Sequence, residues 1–269
     1  MNFEGITVLL TGATGGIGRS FAHALAQRGA HLVLVSRNGD PLGQLCAELS
    51  GDKHTIVSAD IATSEGREQV LQACTDSVNV LINNAGANHF GVFEAHKEDQ
   101  LRTMFDVNII APFLLTQAFL PKLESVGGTV INVGSGLGSI GFPGQSGYSA
   151  SKFALRGFSQ ALRRELSDRN IRVAYLAPRA TDTEMNVDAV VEMNKELGNQ
   201  MDSPDTVAKA LIDLLNGSSG TRFIGWPERF FIKLNSLYPS LIDSALGKQL
   251  PVIRRYAKAA ELSTSVSSP

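Results

Sequence analysis

The sequence predicts an α/β chain, a three-layer, doubly wound parallel sheet of about seven strands with helices on both faces. Short β-branched apolar runs recur at 6–11, 31–36, 54–59, 78–83, 128–134, 171–177 and 221–225, and such continuous runs suit parallel strands buried on both sides. Segments with helical spacing alternate with them, at 16–29, 64–76, 98–124, 148–169 and 204–216, which is the alternation of a sheet wound in both directions. A glycine-rich turn, Thr11-Gly-Ala-Thr-Gly-Gly-Ile-Gly18, joins the first run to the first helical segment.

The elements follow in order. Ile6-Thr-Val-Leu-Leu10 is the first strand, and the helix over 16–29 opens inside the glycine turn. The remaining strands and helices alternate up to the helix over 204–216, where Asp202-Ser-Pro-Asp places Ser203 as the cap and Pro204 in the first turn. Residues 1–225 read as one domain, and 226–269 as its C-terminal apolar helical extension. In that extension Phe230, Phe231, Leu234, Leu237, Leu241, Ile242, Ala245 and Leu246 stand at helical spacing, with Pro239 interrupting or restarting the helix. The small, polar ending over 262–269 is expected to fray.

Composition narrows the function. The chain has 269 residues, 43% of them hydrophobic, enough for a full core. A net charge of −2 gives no broad positive field, so nucleic acid is not an expected partner. Cys46 and Cys74 make neither a disulfide framework nor a zinc site. The histidines, His23, His31, His54, His89 and His96, do not gather with acids or cysteines at ligand spacing, so no metal is expected. The chain runs from Met1 into a strand without a leader, and no apolar stretch long enough to span a bilayer is expected. A cytoplasmic location follows as an expectation.

Gly12, Gly16 and Gly18, with Thr14, Gly15 and Ile17 between them, would let bare backbone and a helix N-terminus meet a pyrophosphate. A dinucleotide is implied. At the end of the second strand stand Ser36 and Arg37; an arginine there suits a ribose 2′-phosphate, so NADP(H) is preferred to NAD(H). Arg19 is a second candidate, and a solvated surface charge is the alternative for each arginine. Ser135, Tyr148 and Lys152 stand thirteen and four residues apart. The tyrosine and lysine project from one helix face, where the ammonium would pull the phenol pKa down from about 10. Each residue taken alone has an ordinary structural explanation; the four with Asn108, in this order, describe a catalytic acid and its surroundings.

With these residues in place, the chain resembles the short-chain dehydrogenase/reductase family in its single-domain form, over residues 5–215. Asp60 after the third strand, Asn83-Asn-Ala-Gly86 after the fourth, Asn108 in the 98–124 helix and Pro178 after the sixth strand complete the match. The resemblance implies a Rossmann-type fold and NADP(H) as cofactor. It implies that Asp60 and Ile61 border the adenine, that Asn84, Ala85 and Gly86 pass behind the cofactor, and that the loop with Pro178, Arg179, Thr181 and Thr183 reaches the nicotinamide. By the same resemblance Tyr148 is the general acid or base, Ser135 binds the substrate oxygen, Lys152 binds the ribose, and Asn108 holds a water linking Lys152 to solvent.

Arg179 departs from the family, where glycine is usual; it would either grip an anionic substrate group or face solvent. The familiar C-terminal Asp-Gly-Gly is missing, so a homodimer or homotetramer is expected without assuming the usual tetramer. The apolar tail would pack on its own domain or a second subunit, or else line a lipophilic pocket or touch a membrane surface, aided by Arg229, Lys233, Lys248, Arg254 and Arg255. His89, Phe90, Val92, Phe93, Leu137, Ile140 and Phe142 would line the substrate side, so a hydrophobic ketone, aldehyde or 3-oxoacyl group is the expected substrate. An NADPH-binding sensor without turnover is the alternative, and a sugar-nucleotide epimerase or dehydratase a further one.

Overall fold

The computed structural model describes residues 2–51, 53–74, 77–217 and 220–266, with 262–266 as backbone alone. Seven strands form one parallel sheet: β1 (Thr7–Thr11), β2 (His31–Ser36), β3 (Thr55–Ser58), β4 (Val80–Asn83), β5 (Thr129–Val133), β6 (Arg172–Ala177) and β7 (Thr221–Phe223). Their order, β3-β2-β1-β4-β5-β6-β7, reverses between β1 and β4. That reversal opens a crevice at the strands' carboxyl ends, the usual ligand position in such sheets.

The helices are α1 (Gly16–Ala26), α2 (Gly39–Glu48), α3 (Ser64–Ala73), α4 (Glu98–Phe105), α5 (Ala111–Val126), α6 (Ser146–Glu165), α7 (Asp188–Glu196), α8 (Pro204–Asn216), α9 (Glu228–Leu237) and α10 (Pro239–Val266). Alternation along each strand divides the core. Val8 and Leu10 of β1 face Phe21, Leu25, Leu42, Val207 and Leu211 of α1, α2 and α8, while Leu9 faces the side covered by α3, α5 and α6. Each such leucine or phenylalanine, taken wholly from water, stabilises the fold by about 1.5–3 kcal/mol.

Two helices were not expected, α2 and α7. The single helix expected over 98–124 is divided by a π turn at Asp106–Ile110, which turns Asn108 into the core with no accessible surface. Ser203 caps α8 as expected, accepting from the Thr206 amide at 3.3 Å, and Pro239 restarts the tail helix. Where fraying was expected from 262, helical backbone continues to Val266; 267–269 lie outside the described residues.

Contrary to expectation, one helical run, Glu98–Val126, is long and apolar enough to cross a membrane by length and composition. Ala111, Leu115, Phe119 and Leu123 of this run have no accessible surface and pack beneath the sheet, which is the behaviour of a core helix.

The tail divides. Ile253, Ala257 and Ala260 of α10 pack with Phe90, Val190 and Met193, roofing the loop after β4. Phe230, Phe231, Leu237 and Leu241 stay exposed.

Candidate active site

The turn after β1 is held at the crevice by the loop after β4. The Thr11 hydroxyl accepts from the amides of Asn84 (3.0 Å) and Ala85 (3.1 Å), while Asn84 Nδ2 donates to the carbonyls of Thr11 and Gly12. Thr11 is 1% exposed, so this stitching is shielded from water. Glycine is required where the chains close: Gly12 has φ +65°, and a Cβ on it would lie 2.7 Å from Ala85 Cα. A Cβ on Gly18 would stand 2.1 Å from the Gly12 carbonyl oxygen. Gly18→Ala is therefore expected to destabilise the fold by about 3 kcal/mol through overpacking and to weaken dinucleotide binding, as read from urea midpoints and a dinucleotide titration.

The start of α1 suits an anion. Its cap, Gly15, brings no side chain to the first-turn amides, and the first turn carries no acid. A Cβ on Gly16 would lie 2.8 Å from Thr183 Cγ2, so the loop after β6 crosses directly over the glycine turn. Thr14 Oγ1 and Ser36 Oγ are 2.7 Å apart, and Arg37 is exposed at the end of β2. Ile17 is half-buried against the α1 and α8 core layer. These residues fit a phosphorylated dinucleotide. Arg19 is drawn elsewhere, to Glu48 at 2.7 Å. The exposed Asp60 caps the next turn through the Ala62 amide at 3.0 Å. The Ile61 side chain is 6% exposed and packs in the core, directly after Asp60.

Ser135 follows β5. Its hydroxyl accepts from the Leu137 amide at 3.1 Å and stands near enough to the Tyr148 phenol to pull its pKa down. From β6 the buried Tyr175 braces it, accepting from the Ser135 amide (3.3 Å) and donating to its carbonyl (3.4 Å). A Cβ on Gly134 would stand 2.0 Å from that Tyr175 hydroxyl, so a glycine must precede Ser135. Four residues along α6 from Tyr148, Lys152 is buried; its ammonium donates to the Val133 carbonyl at 3.1 Å and lies 5.6 Å from the Tyr148 ring centroid.

Burial sets both pKa values. It pushes Tyr148 up to about 12, against a smaller downward pull from the nearby Ser135 side chain. It pulls Lys152 down to about 8. Burial is the largest influence on the phenol and leaves its pKa raised, where a depression by Lys152 was expected. Since the unfolded lysine binds its proton more strongly, this group's burden is fully present below pH 8. Stability should therefore rise as pH climbs from about 8 to 10.5, by an amount on the order of 3 kcal/mol. Lys152→Met should abolish that rise in urea midpoints measured across the window.

Asn108 ties the loop after β4 to α6. Its Oδ1 accepts from the Ala87 amide at 2.8 Å, and its Nδ2 donates to the Ala87 carbonyl and the Ser151 hydroxyl, each at 2.9 Å. Both ends of the side chain are thus engaged by protein, so Asn108 positions the loop after β4. A Cβ on Gly86 would stand 3.4 Å from Asn108 Oδ1 and 3.7 Å from Lys152 Nζ, so glycine lets that loop approach the lysine.

The sequence profile of the short chain dehydrogenases matches residues 6–194. The chain belongs to the short-chain dehydrogenase/reductase family. It is 33% identical over 210 residues to carbonyl reductase family member 4 of Danio rerio, covering 76% of this chain and 88% of that protein. It is 34% identical to the 3-oxoacyl-[acyl-carrier-protein] reductase FabG of Vibrio cholerae, covering 69% of this chain and 77% of that one. A short chain dehydrogenase from Burkholderia cenocepacia, solved in complex with NADP, superposes with a TM-score of 0.78 at 28% identity, covering 91% of this chain and 99% of that one.

On the substrate side of this short-chain dehydrogenase, the expected apolar lining is only partly open. Phe90 is buried and Val92 and Phe142 pack against the same cluster under α10, Leu137 and Ile140 are half-buried, and Phe93 is exposed. A small cavity of about 60 Å³ lies among Asn88, His89, Phe90, Met185, Val187 and Ala260. His89 meets His96 edge to face, and burial, then that neighbour, lowers its pKa. Two residues the sequence reading passed over, Asn88 and Gln145, each keep a buried amide oxygen without a protein partner among the described residues. Their only sequence signal is nearness to Gly86 and Tyr148.

Arg179 neither faces solvent nor offers its guanidinium to a substrate. It reaches Asp202 at 2.7 Å and Glu228 at 3.2 Å, and the Asp202 contact, foremost, raises its pKa further. Thr181, 5% exposed, donates to the Arg179 carbonyl at 3.0 Å, and the Pro178 carbonyl accepts from Gly136 at 2.7 Å.

Proposed function

We propose that this chain is an NADP(H)-dependent oxidoreductase that interconverts a carbonyl and an alcohol on a hydrophobic substrate, with Tyr148 as general acid and base. The observation that carries the reading is the gathering of Ser135, Tyr148 and Lys152, with the Ser135 side chain close enough to act on the Tyr148 phenol, the Lys152 ammonium 5.6 Å from the Tyr148 ring centroid, and the glycine turn at the same sheet crevice. The relatives' names support a carbonyl or 3-oxoacyl substrate, and the NADP in the Burkholderia structure supports the cofactor. Arg37, exposed at the end of β2, is the residue for the 2′-phosphate.

In this reading, Gly12 to Gly18, Ser36, Arg37, Asn84 to Gly86 and Thr183 hold the dinucleotide, which supplies or accepts the hydride when bound. Tyr148 donates its proton to the carbonyl oxygen in reduction and takes it back in oxidation. Ser135 hydrogen-bonds the same oxygen and fixes its distance from the phenol. Lys152 binds the ribose hydroxyls, and Asn108 keeps the loop after β4 in register beside it. We place the protein in the cytoplasm as a homo-oligomer, for which the exposed Phe105, Ile110 and Leu114 offer an apolar face.

The test is the disappearance of reduced-nicotinamide absorbance over a panel of carbonyls, from small aldehydes to long-chain 3-oxoacyl thioesters and steroids, with NADH in parallel. Turnover of an apolar class with NADPH preferred is expected. Activity confined to small polar carbonyls would overturn the substrate class, and preference for NADH would overturn the role of Arg37.

A further inference from the structure

We infer that α9 and the first turn of α10 dock on an anionic membrane surface. The observation is an amphipathic helix mounted the wrong way round for a core element. Toward the protein α9 turns Ile232, which is 5% exposed, Asn235, which donates to the Ser139 carbonyl at 3.0 Å, and Glu228, which meets Arg179. Away from it stand Trp226, Phe230, Phe231, Leu237, Tyr238 and Leu241, with Trp226 74% and Leu237 72% exposed. Phe230 and Leu237 are seven residues apart and share one helix stripe. The Phe230 ring lies 6.3 Å from that of Trp226 and 5.7 Å from that of Phe231, so the aromatic surface is continuous.

Charge selects the occupant. Segment 226–250 carries three basic residues, Arg229, Lys233 and Lys248, against two acidic ones, Glu228, which Arg179 engages, and Asp243, in a chain whose net charge is −2; further along α10, Arg255 is held by Glu196. Arg229 and Lys233, four apart, run along the edge of the apolar stripe; among the described residues neither forms an ion pair. A helix with an aromatic face and lysine or arginine at its margin is the chemistry of a surface-lying membrane helix, its apolar side about 5–10 Å into the headgroup region. Tryptophan and tyrosine suit the boundary because each joins an apolar ring to a polar edge. A second copy meeting this face would bring the same cations against themselves, whereas phosphatidylserine headgroups neutralise them. The inference rests on this surface and not on the proposed reaction.

The chain has one tryptophan, Trp226, so its fluorescence reports the face directly. The intact protein is mixed with phosphatidylcholine vesicles, with and without phosphatidylserine, and followed by emission and by flotation. A blue shift, quenching by lipid brominated on its acyl chains and co-flotation are expected with phosphatidylserine, with loss in high salt. Each of Arg229→Gln and Lys233→Gln should weaken binding to anionic vesicles about fivefold. Phe230→Ser with Leu237→Ser, both outward-facing, should reduce binding about tenfold or more at an unchanged urea midpoint. Unshifted emission with no flotation on either vesicle overturns the proposal. So does emission that shifts with protein concentration in the absence of vesicles, which would put a second copy on the face.

Discussion

Tyr148→Phe is expected to lower carbonyl turnover by about two to four orders of magnitude, the range that a positioned proton donor contributes, while NADPH binds as in the wild type. The substitution keeps the ring and removes only the hydroxyl that stands near Ser135. Because burial keeps the phenol pKa up, near about 12, the group carries its proton throughout the neutral range. It is therefore a ready acid for reduction and a scarce base for oxidation. Reduction should be flat with pH below about 8, and oxidation by the same enzyme should climb about tenfold per pH unit while the phenolate remains the minor form. Steady-state rates in both directions, with cofactor affinity by fluorescence titration, check both statements. Turnover retained in the variant, or oxidation independent of pH, would remove Tyr148 from the assigned role.

What the sequence made legible, and what it did not, follows from physical range. The strands were legible because parallel strands buried on both faces must be apolar at every position, as Val8, Leu9 and Leu10 are, all with no accessible surface. The glycine turn was legible because Gly12 and Gly18 leave no room for a side chain. α2 was hidden because it opens on Gly39-Asp-Pro, residues that read as a turn, and α7 because nine residues show too little periodicity. Interactions between distant segments were out of reach altogether. Tyr175 reads as a core aromatic of β6 and supports Ser135 forty positions away only after the sheet assembles. Lys152 and Asn108 show the same limit: spacing shows which groups can approach, whereas burial and competing amides decide how each is held there.

Arg179→Ala is expected to destabilise the protein by about 3 kcal/mol, the lower end of what breaking a buried ion pair costs. The guanidinium side chain is 15% exposed and that of Asp202 10%, so removing the cation leaves two carboxylates, one nearly out of water, without a countercharge. Glu228 is more exposed, which holds the expected loss to the low end. Asp202 is itself fixed by backbone bonds, its amide donating to the Ala180 carbonyl at 2.8 Å and its carbonyl accepting from Asp182 at 2.9 Å. It therefore cannot swing out to find solvent. The arginine thus joins three segments, the loop after β6, the approach to α8 and the first turn of α9. That same loop lays Thr183 over Gly16, so the lost contact should also raise the KM for NADPH. Arg179→Lys should recover part of the stability but not all, because an ammonium cannot span both carboxylates as a planar fork does. Urea unfolding of the two variants, with NADPH kinetics alongside, separates this from an arginine held ready for a substrate anion. An unchanged midpoint with a KM raised only for anionic substrates would restore that role.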